Sequence, residues 1–321
     1  MAAATISLAA IKAEFGAYYL GNSENMKRLH TLAYFQSKTD KLFSYKTTEA
    51  TVYQTTLSKY MGKRLQTFQK TWTPHPTTIE FIPHTIPLGH LKFDLDVFPD
   101  DLEKSWLDFL KGKDLKPINY PFIRWLVEDH ILAGWEEEWE LEAVYKGVFA
   151  APTPGTPNQP NEVVNGIRKV INDHITSGRI TPFALGAIPA SNADFVKYMI
   201  QFADMLPSKY RNNPFTVQMS DENSLRYMRG MDDLNLYYNK ESNLAKIPKT
   251  NITVVGLESM SGDDKIWMSF KENMLLLEKD IKKKDPQLET AKREVSVLFD
   301  YWKAPGFEVP ELVFTNDLEL V

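Results

Sequence analysis

Leu91-Lys92-Phe93-Asp94-Leu95-Asp96-Val97-Phe98-Pro99-Asp100-Asp101-Leu102 is the plainest stretch of this chain. Leu91, Phe93, Leu95 and Val97 fall on one face and Lys92, Asp94 and Asp96 on the other, the period-two pattern of a half-buried strand. Pro99 ends the alternation. Asp100 and Asp101 then occupy a first helical turn, where the dipole favours negative charge. Leu102, Trp106, Phe109 and Leu110 recur at helical spacing until Gly112. A strand here runs straight into a helix, and the helices and short strands after residue 160 complete an α+β pattern. Just upstream, Thr78-Ile79-Glu80-Phe81-Ile82 reads as the hairpin partner of this strand. Residues 49–98 read as β, and prolines 74, 76, 83 and 87 bar a central sheet position, so this is edge or protruding structure. A hairpin carrying Trp72, Phe81 and Ile82 buries little by itself and is expected to pack on another surface.

Downstream, a helical pattern covers 119–147, with Phe122, Leu126, Leu132, Trp135, Trp139 and Val144 marking a face. At 1.5 Å per residue this is about 43 Å, a spine rather than an ordinary helix. The Pro-rich 151–160 is the sharpest break in composition. After it come helix faces at Val163–Ile175 and Phe195–Leu206, then short strands at Phe215–Met219 and Ile252–Val255. Glu294–Asp300 and Leu312–Phe314 read as closing strands joined through Lys303–Gly306, after a lysine-rich turn at 280–285. Upstream, Leu8, Ile11, Phe15 and Tyr18/Tyr19, then Met26, Leu29, Leu32 and Phe35, give two short helices. They pack on the chain's own core or reach a neighbour.

The 321 residues include 37 Lys and Arg against 42 Asp and Glu, a net charge of −5. That balance argues against a general nucleic-acid binder. There is no cysteine, which excludes disulfides, thiolate metal sites and thiol nucleophiles. No basic-then-apolar leader opens the chain, and the longest uncharged run is too short to span a bilayer, so a soluble protein without membrane partners is expected.

The chemistry-bearing clusters are weak. Glu136, Glu137, Glu138, Glu140 and Glu142 lack the Glu-x-x-His pairing of di-metal bundles and read as a solvated or subunit-facing stripe. Asp94 and Asp96 share a strand face, but on a plain alternating strand. His75, His84 and His90 lie among prolines without ligand spacing and read as surface groups. No phosphate-binding glycine loop or nucleophile elbow occurs. No catalytic, metal or cofactor site is expected.

Several segments together resemble the major capsid proteins of tailed phages, with the flavour of those infecting Bacteroidetes-type hosts. They are Leu65-Gln-Thr-Phe-Gln-Lys-Thr-Trp-Thr-Pro74, Ile79–Leu88, Lys92-Phe-Asp and Phe98-Pro-Asp-Asp-Leu102. In the C-terminal third Val254–Ile266, Lys271-Glu-Asn-Met274, Arg293–Val297 and Gly306–Phe314 agree. The resemblance is one of order and texture over about 250 residues. It implies the Hong Kong 97-type fold: an N-terminal arm at 1–48, then the start of the peripheral domain and an extended loop at 49–92. The peripheral domain with its spine helix follows at 93–149, an axial domain at 150–275, and return strands at 276–321.

It also implies a structural protein that builds pentamers and hexamers of an icosahedral shell around double-stranded DNA, assembled in the host cytoplasm. Its partners would be copies of itself, portal and scaffolding proteins, decoration proteins, and DNA touched without sequence preference. Tyr60, Trp72, Phe81 and Ile82 would be the intersubunit anchors, since aromatics dominate interface energy; the competing reading puts them in their own subunit's core. Some members cross-link a loop Lys to a neighbour's Asn. Lys59, Lys63 and Lys70 are present, but no partner motif is recognisable and such cross-linking is not expected. An encapsulin-like compartment shell is the alternative, and a metal-dependent enzyme using Asp94/Asp96 a more remote one.

Overall fold

The computed structural model describes residues 8–20, 24–25, 37–61, 65–73, 78–116, 120–236, 245–279, 287–292 and 294–316. In chain order the strands are β1 (Ser44–Thr48), β2 (Val52–Met61), β3 (Thr78–Pro87), β4 (Gly89–Val97), β5 (Thr216–Ser220), β6 (Ala245–Lys246), β7 (Thr253–Leu257), β8 (Trp267–Ser269), β9 (Met274–Lys279), β10 (Gln287–Ala291), β11 (Glu294–Phe307) and β12 (Phe314–Thr315). The principal helices are α1 (Leu8–Phe15), α2 (Pro99–Gly112), α3 over 122–143, α4 (Ile167–Thr176), α5 (Asn192–Asp204) and α6 (Asp221–Asp233).

β11 is the axis of the first sheet. β4 lies antiparallel along one edge, from Val97 opposite Val295 to Gly89 opposite Lys303. The other edge is taken by β10 and then β9, and β1 closes the sheet parallel to β9. The expected pairing of Thr78–Ile82 with the 91–98 strand does not form. β3 pairs instead with β2 in a separate two-stranded ribbon, Val52 opposite Pro87 to Met61 opposite Thr78. In such a ribbon each strand has a free edge, which is where Pro83 and Pro87 are tolerated.

The expected joint at Lys303–Gly306 is likewise absent, because β11 runs on to Phe307. Beyond Lys303 the β4 edge has ended, so Pro305 keeps only β9 beside it. The root of β3 fills the vacated side. A Cβ on Gly306 would lie 2.8 Å from Ile86, so glycine is what permits this approach. The closing segment serves both sheets, since β12 pairs with β8 in the second. That sheet runs β12-β8-β5-β7-β6. β5 and β7 are parallel, joined by a crossover through α6, whose N-cap Ser220 accepts from the Asn223 amide.

The long helix is shorter than its sequence pattern. α3 ends at Ala143 and spans about 33 Å. It alternates α-helical and π-helical turns, with Trp125–Ile131 and Trp139–Ala143 in the wider form. Just past its end another segment crosses closely: a Cβ on Gly147 would sit 2.5 Å from the Val164 carbonyl. Phe122, Leu126 and Leu132 belong to one apolar core with α1, α2, Val295 and Val297. Trp139, Ala143 and Val144 belong to a second, with Leu275–Leu277, Phe307 and Trp267. α3 therefore joins two cores, and Trp135 between them packs on Phe93, Phe299 and Tyr301. A third core holds α5, α6 and the second sheet. In α1 and the turn after it, Ile11, Phe15 and Tyr19 are buried in the chain's own body. The second N-terminal helix, over 26–35, falls outside the described residues. So does the lysine-rich turn at 280–285.

Candidate interaction surface

The β2–β3 ribbon is where apolar residues and solvent meet most openly. Every described residue of its tip, 65–73, is exposed. Leu65 is 94% exposed, Phe68 87% and Trp72 88%, and Phe81 further down β3 is 67%. Ile82 is half-buried opposite Leu57. Tyr60 lies in β2 opposite Ile79, but its side chain falls outside the described residues. Covering a large apolar side chain is worth about 1.5–3 kcal/mol. Leu65, Phe68 and Trp72 together therefore leave several kcal/mol available to a partner. Leu65 and Phe68 were missed as anchors by sequence reasoning. Their signal was present, since they fall within the stretch between two strands too far apart for a tight turn.

The root of the ribbon is held by a polar cluster. The His84 ring accepts from Arg179 Nη1 at Nδ1 (3.2 Å) and donates from Nε2 to the Phe307 carbonyl (2.8 Å). Arg179 grips Glu311 through Nε and Nη2 at 2.9 and 3.2 Å, the bidentate geometry of strong carboxylate pairs. His174 stacks obliquely on His84, with ring centroids 5.1 Å apart. Burial lowers the pKa of both imidazoles, with Arg179 adding to it, and brings His174 to about 4. His84 is thus a buried, neutral clamp and not the surface group expected. Of the other two histidines in that set, His90 lies flat on Trp302, while His75 is outside the described residues.

The acidic groups are dispersed. Asp94 pairs with Lys92, and Asp96 accepts from Ser296 Oγ at 2.6 Å, so ordinary strand-face contacts occupy both. A groove of about 450 Å³ between β4, α2 and α3 includes Asp96, Asp101, His130 and Glu138 among aromatic walls. Among the described residues no group of three metal-ligating side chains converges. The 136–142 stripe is not uniformly solvated. Glu140 is buried and accepts from Thr39 through its amide (3.2 Å) and hydroxyl (2.6 Å). Glu136 has an enclosed Oε1 without a hydrogen-bond partner among the described residues, and burial lifts its pKa to about 7.

No protein-family model and no curated protein matches the chain. Solved structures do. A chain of the satellite phage P4 procapsid, in a structure that includes the size determination (Sid) protein, superposes at a TM-score of 0.60. It covers 97% of both chains at 12% identity. This is a phage capsid fold. The capsid of Myoviridae phage XM1 gives 0.52 at 12% identity, covering 87% of this chain and 90% of that one. A chain from Mycobacterium phage Che8 gives 0.50 at 9%, covering 88% and 91%. The capsid fold, the Hong Kong 97-type architecture expected from the resemblance, accounts for the extended ribbon, the long helix and the two sheets in one arrangement. Among the described residues no helix is long and apolar enough to cross a membrane.

Proposed function

We propose that this chain is the major capsid subunit of a tailed phage, a structural protein whose copies tile an icosahedral shell around double-stranded DNA. The observation that carries the reading is end-to-end likeness to a procapsid chain, over 97% of both. The apolar tip at Leu65, Phe68 and Trp72 supports it, because a tile needs a surface that its own chain leaves uncovered. In this reading 1–48 is an arm, 49–92 the start of the peripheral domain with the extended loop, 93–149 the peripheral domain and 150–275 the axial domain. Residues 276–321 return to the periphery, with the last strand reaching the axial sheet. Trp72, Phe81, Ile82 and Tyr60, joined by Leu65 and Phe68, are anchors on a neighbouring copy. Shells repeat one contact under symmetry, so a modest anchor multiplies over many copies. Portal, scaffolding and decoration proteins are the partners of such a tile, and the host cytoplasm its place of assembly.

Electron microscopy of the purified protein, expressed alone and with a scaffold, tests this. Closed shells, tubes or ringed capsomers are the expected result. Shells that enclose a co-purifying enzyme would move the reading to a compartment shell. A strictly monomeric particle under every condition would end it.

A further inference from the structure

Lys303 and Asp40 meet inside the first core. Nζ lies 2.6 Å from Oδ2, with the two side chains 3% and 1% exposed. Asp40 Oδ1 accepts from the Trp139 indole at 3.0 Å, and the same indole lies 4.2 Å under the Lys303 ammonium. The pair spans 263 positions of sequence, from the segment before β1 to the middle of β11. One helical turn before Trp139 stands Glu136, whose buried Oε1 has no hydrogen-bond partner among the described residues. Its electrostatic neighbours are Lys303, Lys41 and Asp40.

We propose that Lys303 and Asp40 become joined by an intramolecular isopeptide bond after folding, with Glu136 relaying the protons. The inference is independent of the shell reading, since it concerns one chain and needs no neighbour. Two opposite charges in a low-dielectric site are held at a desolvation cost. In the first step of the reaction one proton passes from the ammonium to the carboxylate, which leaves a neutral amine beside a neutral carboxyl group. The amine then stands next to the carboxyl carbon, fixed by Trp139, the near-attack arrangement that replaces a bimolecular encounter. Nζ bonds to Cγ and the Cγ–Oδ2 bond breaks. The oxygen departs as water with two protons that began on the ammonium. An ammonium plus a carboxylate equals an amide plus water, so no oxidant, nucleotide or metal enters the balance.

Glu136 supplies what the pair lacks. Poised near neutrality by burial, it gives a proton to the carboxyl oxygen as the tetrahedral intermediate forms and recovers one as the amine nitrogen loses its last extra proton. It ends as it began. Condensation also replaces two buried charges by one neutral amide. In a chain with no cysteine, this is a covalent closure open to it at such a separation.

Intact-mass spectrometry of the full chain, purified unassembled and denatured, is the test. The expected mass is one water below that of the linear chain, with a branched tryptic peptide joining the Asp40 and Lys303 segments. Asp40→Asn is expected to lose ammonia in place of water. Lys303→Arg is expected to keep the full mass, and if it fails to fold the wild-type reading still decides. Glu136→Gln leaves both ends of the bond intact. A folded Glu136→Gln chain of full mass supports the relay, whereas one that loses water at the wild-type rate overturns it. A folded wild-type chain that retains the full mass after days of incubation overturns the bond itself, whether or not shells form.

Discussion

β3 and β4 are separated by the single residue Leu88 and both alternate side chains across a ribbon, yet they end differently. β4 buries Leu91 and Val97 against β11 and the helices behind it, while β3 leaves Phe81 two-thirds exposed. The difference is the partner. β4 joins a sheet already backed by α2 and α3, so its apolar face is covered by its own chain. Beyond its root at His84 and Ile86, β3 has β2 alone, and a two-stranded ribbon has no second layer. Alternation therefore marks a face that will be covered without saying by whom. Only the count of elements behind the strand decides between the same chain and another one.

The largest expected effect would come from breaking the ribbon's half of this contrast. Leu65→Ser, Phe68→Ser and Trp72→Ser together should abolish shell formation, scored by electron microscopy. Each should move monomer stability by no more than about 0.5 kcal/mol, as for other exposed sites. Normal shells from this variant would return the anchoring role to the body of the molecule. The converse holds for the sheet. Phe307→Ala, at a fully buried position, should cost about 3–5 kcal/mol in denaturant titration, before assembly is considered. A cost below about 1 kcal/mol would mean that β11 is not the axis it appears in the register. The clamp between the two regions comes third. His84→Ala removes an acceptor from Arg179 and a donor from the Phe307 carbonyl, and should cost about 1–3 kcal/mol. Protection of β2–β3 amides from exchange should fall more than protection of β9–β11, because the loss is local.

Much of this architecture was legible beforehand. The 91–98 strand, the helix it feeds and the Pro-rich break were readable, because alternation, a proline at N1 and composition are local signals; the capsid likeness came separately, from the resemblance in the order of segments. Partner choice was not. Thr78–Ile82 pairs with 57–61 and not with 91–98, and nothing within either strand distinguishes the two registers. Pro305 inside β11 reads as a break from sequence, and is acceptable only because β4 stops at Lys303. Polar burial was equally hidden. His84, Glu140, Asp40 and Lys303 look like surface residues until Arg179, Thr39 and Trp139 arrive from elsewhere in the chain.

The smallest effect is also the one that separates root from core by sign. His84 and His174 are held neutral in the folded chain, with pKa values below the ordinary 6.5 and about 4 for His174. The unfolded chain therefore binds more protons below pH 6.5, and the stability they contribute is lost as pH falls from about 6.5 towards 4. Glu311, depressed by its Arg179 bonds, adds loss of the same sign at the acid end. Glu136 acts oppositely. Its pKa is raised from 4.5 to about 7, so the stability it contributes is present below 4.5 and lost as pH rises through 7. Melting temperature against pH should accordingly show a broad maximum with two flanks of different origin. His174→Gln should flatten the acid flank, and Glu136→Gln should flatten the neutral one while leaving the acid flank in place. If both variants flatten the same flank, the two clusters titrate as one unit, and the ribbon's root is energetically part of the core it was contrasted with.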